Sequence, residues 1–409
     1  MARQPVVAIV GASLAGGRAA ESLRSEGFEG RIVLIGDEPH RPYERPPLSK
    51  EVLRGEWPPE KAFLRDESWY ADNAVELMLG ARAQMLDLAE QTVMAGGGLI
   101  PFDALLLTTG GTPRALDVPG AALDGIYQLR TLDDAMRLGE RLRSKPRVCV
   151  VGAGFIGCEV ASSARALGCA VSVVDIFDVP LKRALGPEIG SIFDGIVRDH
   201  GVDLRMETGI ARFDGDGRVE RVVTTNGDVI DTDLVVIGIG IAPNDELAIE
   251  AGIACDNGIV VDERCMTSAR GVFAAGDVAN HPSQILGERI RVEHWQNAQN
   301  QGAAAAKAIL GKLDAFREVP WFWSDQFGVN LQMAGHPTRW DRIVFRGDVR
   351  ARRFSAFYRD GDRLVAALAI DRGKDVRAAR ALMDAGIAPD DATLADDDVD
   401  LRALAKVKA

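Results

Sequence analysis

Two glycine-rich turns carry the strongest chemical signal in this 409-residue chain. Gly11-Ala12-Ser13-Leu14-Ala15-Gly16 follows the β-branched run Val6–Val10, and Gly152-Ala153-Gly154-Phe155-Ile156-Gly157 follows Val148–Val151. A turn of this kind between a strand and a helix lets the backbone approach a pyrophosphate, whose charge rests against N–H groups at the helix N-terminus. One such turn is weak evidence. Two, each followed by a second strand that ends in an acidic residue, Asp37 in one and Asp175 in the other, predict two dinucleotide sites. Ser13 stands where the middle glycine of the first turn is expected. Either its hydroxyl donates to the pyrophosphate, the reading preferred here, or the loop sits slightly farther back. Asp175 is placed to accept hydrogen bonds from an adenosine ribose and to repel a 2′-phosphate, which favours NADH over NADPH, although Arg183 puts a basic side chain nearby.

The elements that must position these turns are themselves repeated. Each half is a βαβ unit closed by a buried strand that runs into a Gly/Pro turn, Leu105–Pro113 in one and Leu234–Pro243 in the other. A third apolar strand, Gly271–Ala275, ends in Gly276-Asp277 and precedes a helix-like Ala/Gln/Asn stretch from Gln296 to Leu310. After Pro320 the character changes. The aromatic cluster Trp321, Phe322 and Trp323, hairpin-like strands at Arg342–Phe345, Phe354–Tyr358 and Leu364–Ile370, and a short helix Val376–Ala385 predict a separate α+β domain. Asp396-Asp397-Asp398 reads as a solvated turn.

Composition narrows the function classes. The length fits two to four domains, and 43 glycines without a Gly-X-Y period exclude a collagen-like chain. A net charge of −12 argues against a nucleic-acid binder, so any basic patch is local. The longest apolar stretches fall short of a membrane span, and no membrane association is expected. The five cysteines form no C-x-x-C or zinc-like cluster, and read as reduced thiols of a cytoplasmic protein.

Gly11–Gly16, Arg45-Pro46-Pro47-Leu48-Ser49-Lys50, Thr109-Gly110, Val151–Glu159, Ala275-Gly276-Asp277 and Trp323-Ser324-Asp325-Gln326, taken together and in order, resemble one family. It is the oxygenase-coupled NADH-dependent ferredoxin reductases, of the putidaredoxin reductase and biphenyl dioxygenase ferredoxin reductase type. The resemblance implies a glutathione-reductase-like α/β flavoprotein with two Rossmann-like dinucleotide-binding domains and a C-terminal α+β domain. FAD is expected on residues 1–113 with 243–320, NADH on the inserted 114–242, and the small domain is 321–409. The same carry-over makes Arg45, Lys50, Thr109, Gly110, Arg130, Gly276, Asp277, Glu293 and Trp295 flavin-site residues. Gly240 joins the cofactor set, Trp323 is expected near the isoalloxazine, and Asp277 binds the ribityl or pyrophosphate part.

Lys50 and Glu159 are the expected pair at the redox centre. In the family such a lysine lies near flavin N5, where positive charge stabilises anionic reduced flavin, and the glutamate pairs with it beside the nicotinamide. Without the resemblance each has an ordinary explanation, Glu159 complementing a helix dipole and Lys50 following an exposed Pro-Pro turn. His281 and His294 receive no role. The segment Pro46–Leu53 has no cysteine, so electrons are expected to leave the flavin directly. The activity implied is hydride transfer from NADH to FAD and single-electron delivery to a [2Fe–2S] ferredoxin that supplies a cytochrome P450 or Rieske oxygenase. The alternatives are a rubredoxin or nitrite-reductase-type NADH reductase and an apoptosis-inducing-factor-like redox sensor. For docking an acidic ferredoxin, the segment 339–353 holds six arginines against Asp341 and Asp348, with Arg339, Arg342 and Arg346 the expected contacts.

Overall fold

In the computed structural model, which describes residues 3–406, each glycine-rich turn leaves the middle of a five-stranded parallel sheet. The first sheet runs Val272–Ala274, Ala104–Leu107, Val6–Val10, Arg31–Ile35, Val75–Met78 in spatial order. The second runs Asp203–Arg205, Ala170–Val174, Arg147–Val151, Leu234–Ile237, Ile126–Tyr127. In both, the strand entering the turn pairs on one side with its βαβ partner, Val6↔Arg31 and Arg147↔Ala170, and on the other with the strand that closes the half. Strands covered on both faces read as continuous apolar runs, which is why Val6–Val10 and Leu234–Ile237 are buried throughout.

The first sheet draws Val272–Ala274 from the far side of the second. The two closing turns do more than echo each other. Gly111–Pro113 and Ile241–Pro243 pair antiparallel, and Thr109 and Asn244 exchange hydrogen bonds of 2.6 and 2.9 Å across that crossing. Each unit also carries a three-stranded antiparallel sheet, Ala83–Pro101 in one and Ile210–Asp231 in the other, which the sequence pattern did not announce.

The helix Leu14–Ser25 packs along Trp295–Ile309, whose small residues Ala304, Ala305 and Ala306 let the two axes come close. The C-terminal part is an antiparallel sheet in the order Trp321–Gln326, Val329–Gly335, Arg363–Ile370, Arg353–Asp360, Arg342–Asp348. The helix Gly373–Asp384 covers one face, and Leu185 and Phe193 of the kinked helix Lys182–Asp199 belong to the core on the other. Tyr358 donates its hydroxyl proton to the Leu185 carbonyl at 2.8 Å, satisfying a polar atom at that junction. The edge strand Trp321–Gln326 therefore faces the dinucleotide units, and Arg342–Asp348 lies at the opposite edge. No helix among the described residues is long and apolar enough to cross a membrane.

Candidate functional site

Both turns open on one cavity of about 1360 Å³. Gly11 and Gly152 sit at φ +117° and +105°, a region open to glycine, and mark the point where each chain leaves its strand. A methyl group at Gly16 would collide with the Gly11 carbonyl, and one at Gly157 with the Gly152 carbonyl. Each helix thus starts pressed against its turn, with its first N–H groups toward the cavity. Ser13 caps the first helix by position but makes no capping hydrogen bond, so its hydroxyl stays free at the cavity wall.

Of the residues predicted from the sequence, Gly11, Ser13, Ala15, Asp37, Arg45, Lys50, Thr109, Gly110, Arg130, Gly154, Ile156, Glu159, Arg183, Gly240, Gly276, Asp277, Glu293, Trp295 and Trp323 all line this cavity. Gly16, Gly152, Gly157 and Asp175 are not part of its lining. Asp175 is a brace for the second turn. Its Oδ2 accepts the Ala153 N–H at 2.6 Å and its Oδ1 the Phe177 N–H at 2.9 Å. A carboxylate has about four acceptor positions, so both oxygens keep capacity for a hydroxyl.

Lys50 follows a short helical turn begun by two prolines and is buried rather than exposed. Its Nζ lies 3.3 Å from Glu159 Oε2, with both side chains less than a tenth exposed. Ser49 donates to the same Oε2, and Ser324 donates to Oε1 at 2.6 Å. The carboxylate thereby joins the first unit, the second unit and the C-terminal sheet. Ser49 and Ser324 were quoted in motifs without a role, because a serine's partner across 165 residues leaves no local signal.

Further along the wall Arg130 pairs with Asp277 at 2.8 Å and Arg45 with Glu38 at 3.0 Å. Arg291, which the sequence did not single out, pairs with Glu293 at 2.7 Å. Burial pushes the Glu293 carboxyl up, against the pull of Arg291. Trp323 stacks on Trp321 at 5.3 Å and meets Trp295 edge-on at 5.7 Å. Phe322 packs between Phe155 and His294. Burial pushes the His294 imidazole down to about 3, with His336 adding to the effect, so the ring stays neutral at ordinary pH. None of the five cysteines lines the cavity, and burial raises every one of these thiols.

The chain matches the pyridine nucleotide-disulphide oxidoreductase family over residues 5–302 and the reductase C-terminal family over residues 321–405. It belongs to the pyridine nucleotide-disulphide oxidoreductase family. Among relatives of this oxidoreductase, the ferredoxin–NAD(+) reductase component of the anthranilate 1,2-dioxygenase system of Burkholderia cepacia is 42% identical over 98% of this chain and 99% of its own. A ferredoxin reductase from Rhodopseudomonas palustris superposes with a TM-score of 0.95 at 37% identity, covering 98% of this chain and 99% of that one. The putidaredoxin reductase in a covalent complex with putidaredoxin superposes with a TM-score of 0.96 at 34% identity, over 99% and 100%. The fold expected from the resemblance is therefore the fold of this oxidoreductase.

The arginine patch requires correction at Arg346. Arg346 is 5% exposed, lies 3.2 Å from Asp397 and donates to the Val399 carbonyl at 2.7 Å. Arg342 is held by Asp341 and Asp391 at 2.9 and 2.8 Å, and Arg339 by Asp360 at 3.0 Å. Arg352 is held by Asp199, so four of the six arginines are engaged by aspartates, three of them by aspartates from other segments only, and Arg350 and Arg353 have no ion-pair partner among the described residues. The strand that carries Arg342 and Arg346 is also four strand spacings, roughly 19 Å, from the strand that meets the cavity. Asp397, read as part of a solvated turn, is the clasp on Arg346 and Arg372. Accordingly Arg346→Glu should unfold the C-terminal sheet at lower denaturant, with a loss of about 3–5 kcal/mol, rather than shift a docking constant. Chemical denaturation followed by near-UV circular dichroism measures this, and an unchanged midpoint would return Arg346 to the surface.

Proposed function

We propose that this oxidoreductase is an FAD-dependent NADH:ferredoxin reductase, taking hydride from NADH and passing single electrons to a [2Fe–2S] ferredoxin of an oxygenase system. The observation that carries the reading is the single cavity onto which two dinucleotide turns open, with a buried lysine–glutamate pair between them and no thiol in its wall. The relatives' names as ferredoxin–NAD(+) reductase components support the acceptor.

The cavity fits two dinucleotides because the second turn has no Cβ at Gly154, the first puts only the small Ser13 at the matching place, and the volume exceeds a drug-sized pocket of about 300–1,000 Å³. We assign FAD to residues 1–113 with 243–320, where Ser13, Asp37, Arg45, Thr109 and Asp277 would hold it, together with Arg130, which reaches Asp277 from the inserted segment. NADH belongs to residues 114–242, where Gly154, Ile156, Arg183 and Gly240 line the cavity. When bound, FAD accepts two electrons as hydride and releases them singly. The chain's own part is electrostatic. Lys50 pairs with Glu159 in a buried centre, where a charged partner acts more strongly than at a surface. Glu159 fixes the ammonium in place, and the Ser49 and Ser324 hydroxyls fix Glu159. The aromatic wall of Phe155, Phe322, Trp295 and Trp323 excludes water. Five unpaired thiols favour a reducing, cytoplasmic setting.

Steady-state NADH oxidation against a panel of [2Fe–2S] ferredoxins and rubredoxins at fixed low salt tests the acceptor. Ferredoxins should support turnover; turnover with rubredoxin alone would replace the reading with a rubredoxin reductase. NADH should be preferred over NADPH, and Asp175→Ala should narrow that preference by roughly 1–3 kcal/mol while also raising the NADH KM, because the Ala153 and Phe177 N–H groups lose their acceptor. Equal kcat/KM for the two cofactors in the parent protein would remove Asp175 from the ribose.

A further inference from the structure

We propose that His294 and His336 form the route by which a proton leaves the dinucleotide cavity, a proposal that rests on the reductase reading above. The reaction needs such a route. One NADH and two oxidised ferredoxins give NAD+, two reduced ferredoxins and one proton. The hydride brings two electrons and a proton into the cavity, and the acceptor removes only electrons.

The geometry points to one direction of exit. His294 lines the cavity, and its Nδ1 is buried without a hydrogen-bond partner. The His336 ring lies 6.4 Å from it between centroids, close enough for one bridging water. Behind His336 is a second cavity of about 270 Å³, walled in part by Glu288, Thr338, Arg339, Asp360 and Arg363. Among the described residues His336 is the one side chain common to both linings. It is a partition with a titratable group on it.

The charges around the pair favour passage over storage. On the inner side Glu293 is engaged by Arg291. In the second cavity Asp360 is engaged by Arg339 at 3.0 Å, and Arg363 donates to the Ile285 and Leu286 carbonyls. Glu288 accepts from the Thr338 hydroxyl and is the charged neighbour that favours a protonated His336. Burial disfavours an imidazolium on either ring. A proton entering at His294 is therefore drawn outward to His336 and Glu288 and is not retained.

The test uses the holoenzyme reduced with one equivalent of NADH without oxygen, then mixed with excess oxidised [2Fe–2S] ferredoxin. Ferredoxin absorbance reports electrons, and a pH-indicator dye in weak buffer reports protons. In the parent the two signals should coincide. In His336→Phe, which keeps ring volume but carries no proton, the ratio of proton-release rate to electron-transfer rate should fall roughly tenfold or more. His336→Gln serves if the phenylalanine variant does not fold. A second readout needs no turnover: deuterium exchange at the His294 ring C2–H, followed by mass spectrometry in the oxidised protein, should slow severalfold in the same variants. Coincident signals in the variants, or unchanged His294 exchange, would overturn the route. Failure of the parent to reduce ferredoxin would strike the reductase reading instead, and the exchange measurement would still decide the route.

Discussion

Lys50→Met should slow the bleaching of the bound flavin by NADH by about 100-fold, the scale on which a single preorganised electrostatic partner acts at a reacting centre. The substitution removes the positive charge and leaves Glu159 buried with only two serine hydroxyls as donors. FAD content should stay at the parent level, since Arg45, Arg130 and Asp277 lie elsewhere on the wall. Glu159→Gln should cost less, because an amide keeps hydrogen bonds to both serines while releasing the lysine. Stopped-flow reduction by NADH under anaerobic conditions separates these outcomes, and parent-like rates in both variants would make the pair a structural junction of three segments.

The second large effect should come from the glycines that press each helix onto its turn. Gly16→Val places a branched side chain against the Gly11 carbonyl, with Thr108 Oγ1 behind it. Either the helix Leu14–Ser25 withdraws or the turn deforms, and the protein should purify colourless. Gly157→Val makes the same insult against the Gly152 carbonyl in the other unit. That variant should remain yellow and lose NADH-driven bleaching, while dithionite still reduces it. Flavin absorbance per chain with each reductant reads both results. Loss of colour in both variants, or in neither, would contradict the division of the two turns between two cofactors.

The parts of this account that the sequence carried are those written in local pattern. Val6–Val10 and Val148–Val151 are buried on both faces, so they read as apolar runs, and the glycines after them are forced by backbone geometry within six residues. The three-stranded sheets are different. A strand such as Ala83–Asp87 is half exposed and kinked in register, so its residues alternate poorly and left no clear signature. The burial of Lys50 was likewise invisible, because its partner is 109 residues away and the prolines before it ordinarily mark exposed turns. Arg346 was misplaced for the same reason in reverse. Charges were summed along the chain, whereas Asp391 reaches Arg342 from 49 residues on and Asp397 reaches Arg346 from the far side of a helix.

The most direct test of the central claim is an anaerobic titration of the purified protein, first with NADH and then with oxidised [2Fe–2S] ferredoxin from an oxygenase system. The account predicts one FAD per chain, bleached by one equivalent of NADH and restored to yellow by two equivalents of ferredoxin, with the ferredoxin reduced in step. A flavin that NADH does not bleach, or one that bleaches and stays reduced with ferredoxin present, would contradict it.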